Sequence, residues 1–244
     1  MTMSDQPRKR RHFQDEMDAL QDRLLEMAGI VEEVVRMSID ALERRDPRPA
    51  ERIKAEDDRI DRLEIEIDDR AMELLALQQP MARDLRQVVA TLKAANDLER
   101  VGDHAVNIAK AVRRLAEAPA FPAIPEVPEM AGIARGMLAD ALAAFVARNP
   151  SSARHVCLRD EKVDNLRRSL FRILLTHMME EPRRITPALE LLLISQNLER
   201  IADLSTNIAE DVVFMVEGKS IKHLPDASLS DDDDEEPIRG PQKV

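Results

Sequence analysis

The chain has 244 residues, a formal net charge of −11, 2% aromatic residues with neither Trp nor Tyr, and a single cysteine. So few aromatics, with only six glycines, argue against a sheet protein, and an acidic, aromatic-poor chain is a poor non-specific ligand for nucleic acid. Cys157 alone excludes an internal disulfide framework and reads as a small packing residue.

The N-terminal MTMSDQPRKRRH is basic but lacks the apolar stretch of a signal peptide. Charges interrupt the apolar runs, so the expectation is a cytoplasmic protein without a transmembrane helix. Residues 1–11 are expected to be a disordered basic terminus. A first helix over 13–45 follows, with Phe13, Met17, Leu20, Leu24, Met27, Val31 and Val34 on one face at steps of three and four. Pro47 and Pro49 end it. A second helix over 50–78 carries Ile53, Ile60, Leu63, Ile67, Ala71 and Leu74 on its stripe, and Gln79-Pro80 breaks it. A third helix runs over 82–117.

Four prolines in APAFPAIPEVPE, residues 118–129, cannot continue a helix and mark a linker. The pattern then repeats: a helix over 130–148, a break at Asn149-Pro150, a helix over 151–180, a break at Glu181-Pro182, and a helix over 187–217 with Gly218 in the C-terminal cap position. Residues 223–244, with an uninterrupted acidic run over 231–236, read as a disordered tail. The fold expected is all-α, two tandem three-helix bundles over 12–117 and 130–222.

The duplication is explicit in the sequence. The block from Asp97 to Val112 lies over the block from Asn197 to Val212 without a gap, with eight of sixteen positions identical. Leu98, Val101, Ala105, Ile108 and Val112, and their counterparts Leu198, Ile201, Ser205, Ile208 and Val212, form the core seam. Glu99 and Asp103, and likewise Glu199 and Asp203, sit four apart on the face away from it, with Asn107 and Asn207 one turn further on.

The preceding helices carry Asp57 with Asp61 and Asp160 with Asp164. Folding each hairpin at its proline brings both pairs of a unit to one height, about 20 residues or about 30 Å from the turn. Four carboxylates at one level repel unless a cation, an arginine or protonation offsets them. Arg100 and Arg200 adjoin the acids but project about a quarter-turn away. All-oxygen ligation suits a hard cation, while a solvated charge cluster accounts for the same spacing. The Glu64/Asp68 pair is left unassigned.

LERVGDHAVNIA and LERIADLSTNIA resemble the twice-repeated LERIGD-x-x-x-NIA signature of the PhoU family, the regulators of bacterial phosphate uptake and phosphate signalling. HFQDEMDALQDRLLEMAGIVEE, DDRIDRLEIEID and LLALQQPMARDLRQVVATLKAANDLER resemble its first helix, its second helix and the run into its third. The match spans about residues 12–222.

The resemblance implies metal clusters on E(D)-x-x-x-D motifs, here Asp57, Asp61, Glu99, Asp103, Asp160, Asp164, Glu199 and Asp203, with iron, manganese, magnesium or zinc as candidate metals. It also implies a non-catalytic cytoplasmic negative regulator of phosphate uptake and of the phosphate-starvation regulon. Its implied partners are the ATPase subunit of the phosphate ABC transporter, the phosphate-sensing histidine kinase and a second copy as a homodimer. Ala202 stands where the family has Gly, and Leu204 where it often has His, so the two sites are not expected to be equivalent. Two alternatives stand beside this reading. One is a metal-free helical adaptor. The other is a di-iron carboxylate enzyme, although no Glu-x-x-His occurs in the chain.

Overall fold

A computed structural model describes residues 6–222. The expected disordered segments lie outside these residues, apart from residues 6–11, which begin the first helix. The first unit consists of α1 (Gln6–Arg44), α2 (Ala50–Gln78) and α3 (Arg83–Glu117). The second consists of α4 (Glu126–Ala147), α5 (Pro150–Cys157), α6 (Asp160–Glu180) and α7 (Ile185–Glu217), with a 3-10 turn at Pro182–Arg184. No strand occurs among the described residues.

The stripes read from the sequence are the faces that pack. Leu20, Leu24, Met27, Val31 and Val34 of α1, Ile53, Ile60 and Ile67 of α2, and Leu98, Val101 and Ile108 of α3 are sealed from solvent. Each such side chain contributes about 1.5–3 kcal/mol by burial. Gln79 closes α2 in the left-handed region, with Pro80 next. Gly218 closes α7 at φ 74°, donating its N–H to the Phe214 carbonyl at 2.9 Å. Asn149 caps α5 by accepting the Ser152 N–H at 3.1 Å, and Pro150 occupies the first helical position.

Three findings differ from expectation. α4 starts at Glu126 rather than near Met130, because Pro128 falls in the first turn, where a helix tolerates a missing N–H. The extended linker is correspondingly shorter. Its Phe121 is buried edge-on to His177, and its carbonyl accepts from Arg45 at 3.0 Å.

The single fifth helix is interrupted at Leu158 and Arg159. The Arg159 N–H donates to Val156, three residues back, and its guanidinium reaches Asp140 on α4. Finally, α4 has a mean hydropathy of 1.5 over eighteen residues, apolar enough to cross a membrane, contrary to the expectation that no stretch would be. Its Met130, Ala131, Ala134, Met137 and Ala141 are buried in the second unit's core, which accounts for that apolarity.

α3 and α7 form the seam between the units. Lys93 pairs with Asp211 at 3.0 Å, His104 Nδ1 lies 2.9 Å from Asn197 Oδ1, and Arg114 pairs with Glu190 at 2.8 Å. As the α3 number rises the α7 number falls, so the two signature helices run antiparallel.

Candidate metal centre

In the first unit, α2 and α3 bring Asp57, Asp61, Glu99 and Asp103 into one electrostatic neighbourhood, as the register requires. Asp57 is 9% exposed, Glu99 is half-buried, and Asp61 and Asp103 open to solvent. Burial pushes the Glu99 carboxyl up to about 7, with the charges of Asp103, Glu64, Asp61 and Asp57 adding to it. Burial likewise pushes Asp57 up to about 6, reinforced by Asp103 and Asp61 and opposed by Lys54. None of the four forms an ion pair with Lys, Arg or His among the described residues.

Gly102 lets Asp57 come this close. A methyl at that position would lie 3.1 Å from Asp57 Oδ1 and 3.0 Å from Ile60 Cδ1. Glu64, left out by the sequence reading, joins the cluster from one turn below Asp61. Its carboxyl is raised by burial, and it accepts from Asn96 at 3.4 Å.

The second unit gathers Asp164, Glu199 and Asp203, all half-buried, while Asp160 opens α6 just after the helix break. Burial raises Glu199, with Asp203 adding to the shift and Arg167 and Arg200 opposing it. Burial also raises Asp203, with Arg200 opposing it and Asp164 adding to it. Arg167 pairs with Glu199 at 3.6 Å. Arg200 reaches Asp203 at 3.1 Å and Glu199 at 3.7 Å, so it does not project clear of the acids as its helical position alone suggests. A long guanidinium stem spans a quarter-turn.

One further sequence expectation changes. Asn207 does not extend the acid line: its side chain lies toward Asp97 across the seam and helps to lower that carboxyl. His104 faces Asn197 rather than the carboxylates. Sequence reasoning also missed Asp97 and Asp211, both buried at the seam with Lys93 beside Asp211. Their signal is an acid falling on the buried stripe, which a search for i, i+4 pairs passes over.

The first row's donor set is all carboxylate and lacks a paired cation, which suits a hard metal ion. Among the described residues, however, no three His, Cys, Asp or Glu side chains group closely enough to hold one ion. The acids form a row, not a cage.

A PhoU domain model matches the chain twice, over residues 24–112 and 127–212. The chain is 37% identical over 213 residues to the phosphate-specific transport system accessory protein PhoU homolog of Clostridium acetobutylicum, covering 87% of this chain and 97% of that protein. It is 41% identical over 210 residues to the homolog of the same name from Caulobacter vibrioides, covering 86% and 91%. The crystal structure of PhoU from Pseudomonas aeruginosa superposes with a TM-score of 0.83 at 35% identity, over 85% of this chain and all of that one. The phosphate transport system regulatory protein PhoU from Streptococcus pneumoniae gives 0.79 at 32% identity, over 85% and 98%. A domain matched twice on the two halves that the sequence repeats, with relatives alike along nearly their whole length, places this chain in the PhoU family.

Proposed function

We propose that this protein is a cytoplasmic, non-catalytic negative regulator of phosphate uptake and of the phosphate-starvation regulon. It works as an accessory to a phosphate transport system, as the names of its relatives describe those proteins. In this reading it docks on the ATPase subunit of the phosphate ABC transporter and on the phosphate-sensing histidine kinase, acts as a homodimer, and passes the state of the first to the second. The observation that carries the proposal is the doubled family domain on a duplicated helical frame.

Metal enters as a structural charge. Asp57 and Asp61 of α2 with Glu99 and Asp103 of α3 would meet it as a row, through water it retains, since no three of them close on one ion. A polyvalent cation there supplies the positive charge that four gathered carboxylates lack. The chain's own residues do the rest: α2 and α3 present the donors at one level, and Gly102 keeps Asp57 within reach. A carboxylate row suits ions that keep part of their water shell. Against an oxidative di-iron enzyme stands the absence of Glu-x-x-His and the position of the acids outside the bundle core.

The decisive experiment deletes the gene and measures phosphate-starvation gene expression in high phosphate. Derepression is expected, and expression that stays repressed would overturn the regulatory reading. A second reading, a metal-free adaptor, draws on the arginine pairing in the second unit. It predicts full complementation by a chain whose first row is converted to amides.

A further inference from the structure

We infer that the α6–α7 hairpin carries a docking groove for an amphipathic helix of a partner protein, one with apolar residues at three–four spacing and carboxylates along one flank. This rests on the proposed docking role, to which it adds a place and a chemistry.

Six apolar side chains form the groove. Phe171, Leu175 and Met179 stand eleven, seven and three residues before Pro182, and Leu193, Leu189 and Ile185 stand eleven, seven and three after it. An antiparallel hairpin turning at Pro182 sets them opposite one another as three rungs, each about 6 Å from the next. All six are between 41% and 80% exposed. The hairpin does not need them for its core, because Leu170 and Leu174 of α6 and Ala188, Ile194 and Leu198 of α7 are sealed on its other side. A contiguous apolar patch on an otherwise charged surface marks a binding face. Rungs one turn apart match the i, i+4 repeat of a helix laid along the groove.

The ladder is not a by-product of the duplication. In the register that lays Asp57 over Asp160, Phe171 stands in place of Asp68. In the ungapped register of α3 over α7, Leu193 stands in place of Lys93, which is committed to Asp211 at 3.0 Å. The first unit keeps exposed Met72 and Leu85 near its turn but has a charge on both sides of the rung furthest from it.

Charge selects the occupant. Residues 165–184 hold five arginines and two glutamates, in a chain of net charge −11. With Phe171, Arg167, Arg168 and Arg172 line a hollow of about 360 Å³. Arg168 donates to the Asp164 main-chain carbonyl at 3.3 Å, and neither it nor Arg172 forms an ion pair among the described residues. Both guanidinium groups can take carboxylates from a partner helix. A second copy does not supply them. Laid antiparallel on the ladder, it would bring Glu180 and Glu181 to the arginines, and Arg184 already holds these at 3.5 and 3.0 Å. An anionic membrane fits no better. Asp164, two turns beyond Phe171 on the same stripe and gathered with Glu199 and Asp203, would be pressed against it. A helix in the groove can stop short of that row, whereas a lipid surface cannot.

The test is the binding of two synthetic helical peptides to the full-length protein, read by fluorescence anisotropy. Both carry leucines at three–four spacing; one flank is glutamate in the first peptide and lysine in the second. The glutamate peptide should bind tighter by roughly tenfold or more. Leu175→Gln with Leu189→Gln should weaken it by roughly tenfold or more, and Arg168→Glu with Arg172→Glu should reverse the preference. Gln and Glu sustain a helix, and circular dichroism accompanies each variant. No binding, equal binding of the two peptides, or binding that both variants leave unchanged would overturn the proposal. A dimer in sedimentation that the leucine variants break would assign the face to a second copy. Co-sedimentation with phosphatidylglycerol vesicles that the same variants abolish would assign it to a membrane. Either result overturns the helix groove. None of them touches the regulatory reading, which the gene deletion decides.

Discussion

Glu99 shows most directly what the fold demands of one side chain. Its carboxyl is held at about 7 against an ordinary 4.5, first by burial and then by Asp103 and the other acids. In metal-free protein the folded state therefore binds a proton that the unfolded state releases at lower pH. The stability this adds is fully present below about pH 4.5 and is lost as pH rises through about 7. Glu99→Gln removes that dependence. The metal-free variant should match the parent near pH 5 and exceed it at pH 8 by on the order of 1 kcal/mol, a figure discounted for the solvent that reaches the site. Thermal melts at the two pH values read this out. Saturating metal should reverse the order at pH 8, since the parent then gains a ligand that binds only the folded state. A variant that melts parallel to the parent across the range would show that Glu99 carries no special charge burden.

At the scale of elements, most of the architecture was legible because helix-forming composition, three-four stripes and proline punctuation agree with one another. The register argument placed Asp57, Asp61, Glu99 and Asp103 together from turn positions alone, since helical rise is fixed. The break between α5 and α6 was not legible. Leu158 and Arg159 carry no glycine or proline, and what marks the interruption is a tertiary contact, Arg159 reaching Asp140 on the neighbouring helix. Arginine pairing in the second row was equally hidden, because helical position gives the direction of Cβ but not where a long side chain ends. A short α5 has little stability of its own. It is anchored by Arg154, whose two terminal nitrogens donate to the Glu217 carboxylate at 2.9 and 2.7 Å near the end of α7. Both side chains are largely shielded. Arg154→Ala should cost about 1.5–3 kcal/mol and raise amide hydrogen exchange in α5 ahead of the rest of the second unit. Exchange that rises uniformly would mean that α5 is held by its apolar contacts instead.

For the whole molecule, the question is how two units share one stability, and the answer lies at the α3–α7 seam. Asp211 is 2% exposed and pairs with Lys93 at 3.0 Å, the same ammonium lying 5.3 Å from the Phe214 ring centroid. Asp97 is buried in the same seam, and its carboxyl is pushed up to about 6 by burial and then by Asp211, with Arg100 and Lys222 opposing. Below about pH 6 Asp97 takes a proton and the seam carries one buried anion; above it the seam carries two, and Lys93 matters more. Breaking a fully buried pair costs about 3–5 kcal/mol. Because Lys93 is 45% exposed, Lys93→Met should cost less than that at pH 8 and less again at pH 5. Adding Asp211→Asn to Lys93→Met removes the stranded charge and should recover most of the loss. Urea unfolding at both pH values, with the double variant beside the singles, measures the coupling directly. An equal loss at pH 5 and pH 8, with no recovery in the double variant, would mean that the seam is held by its apolar residues and that its ionisable groups are incidental. Recovery would show that charge balance between Lys93 of α3 and Asp211 of α7 helps to hold the two units together.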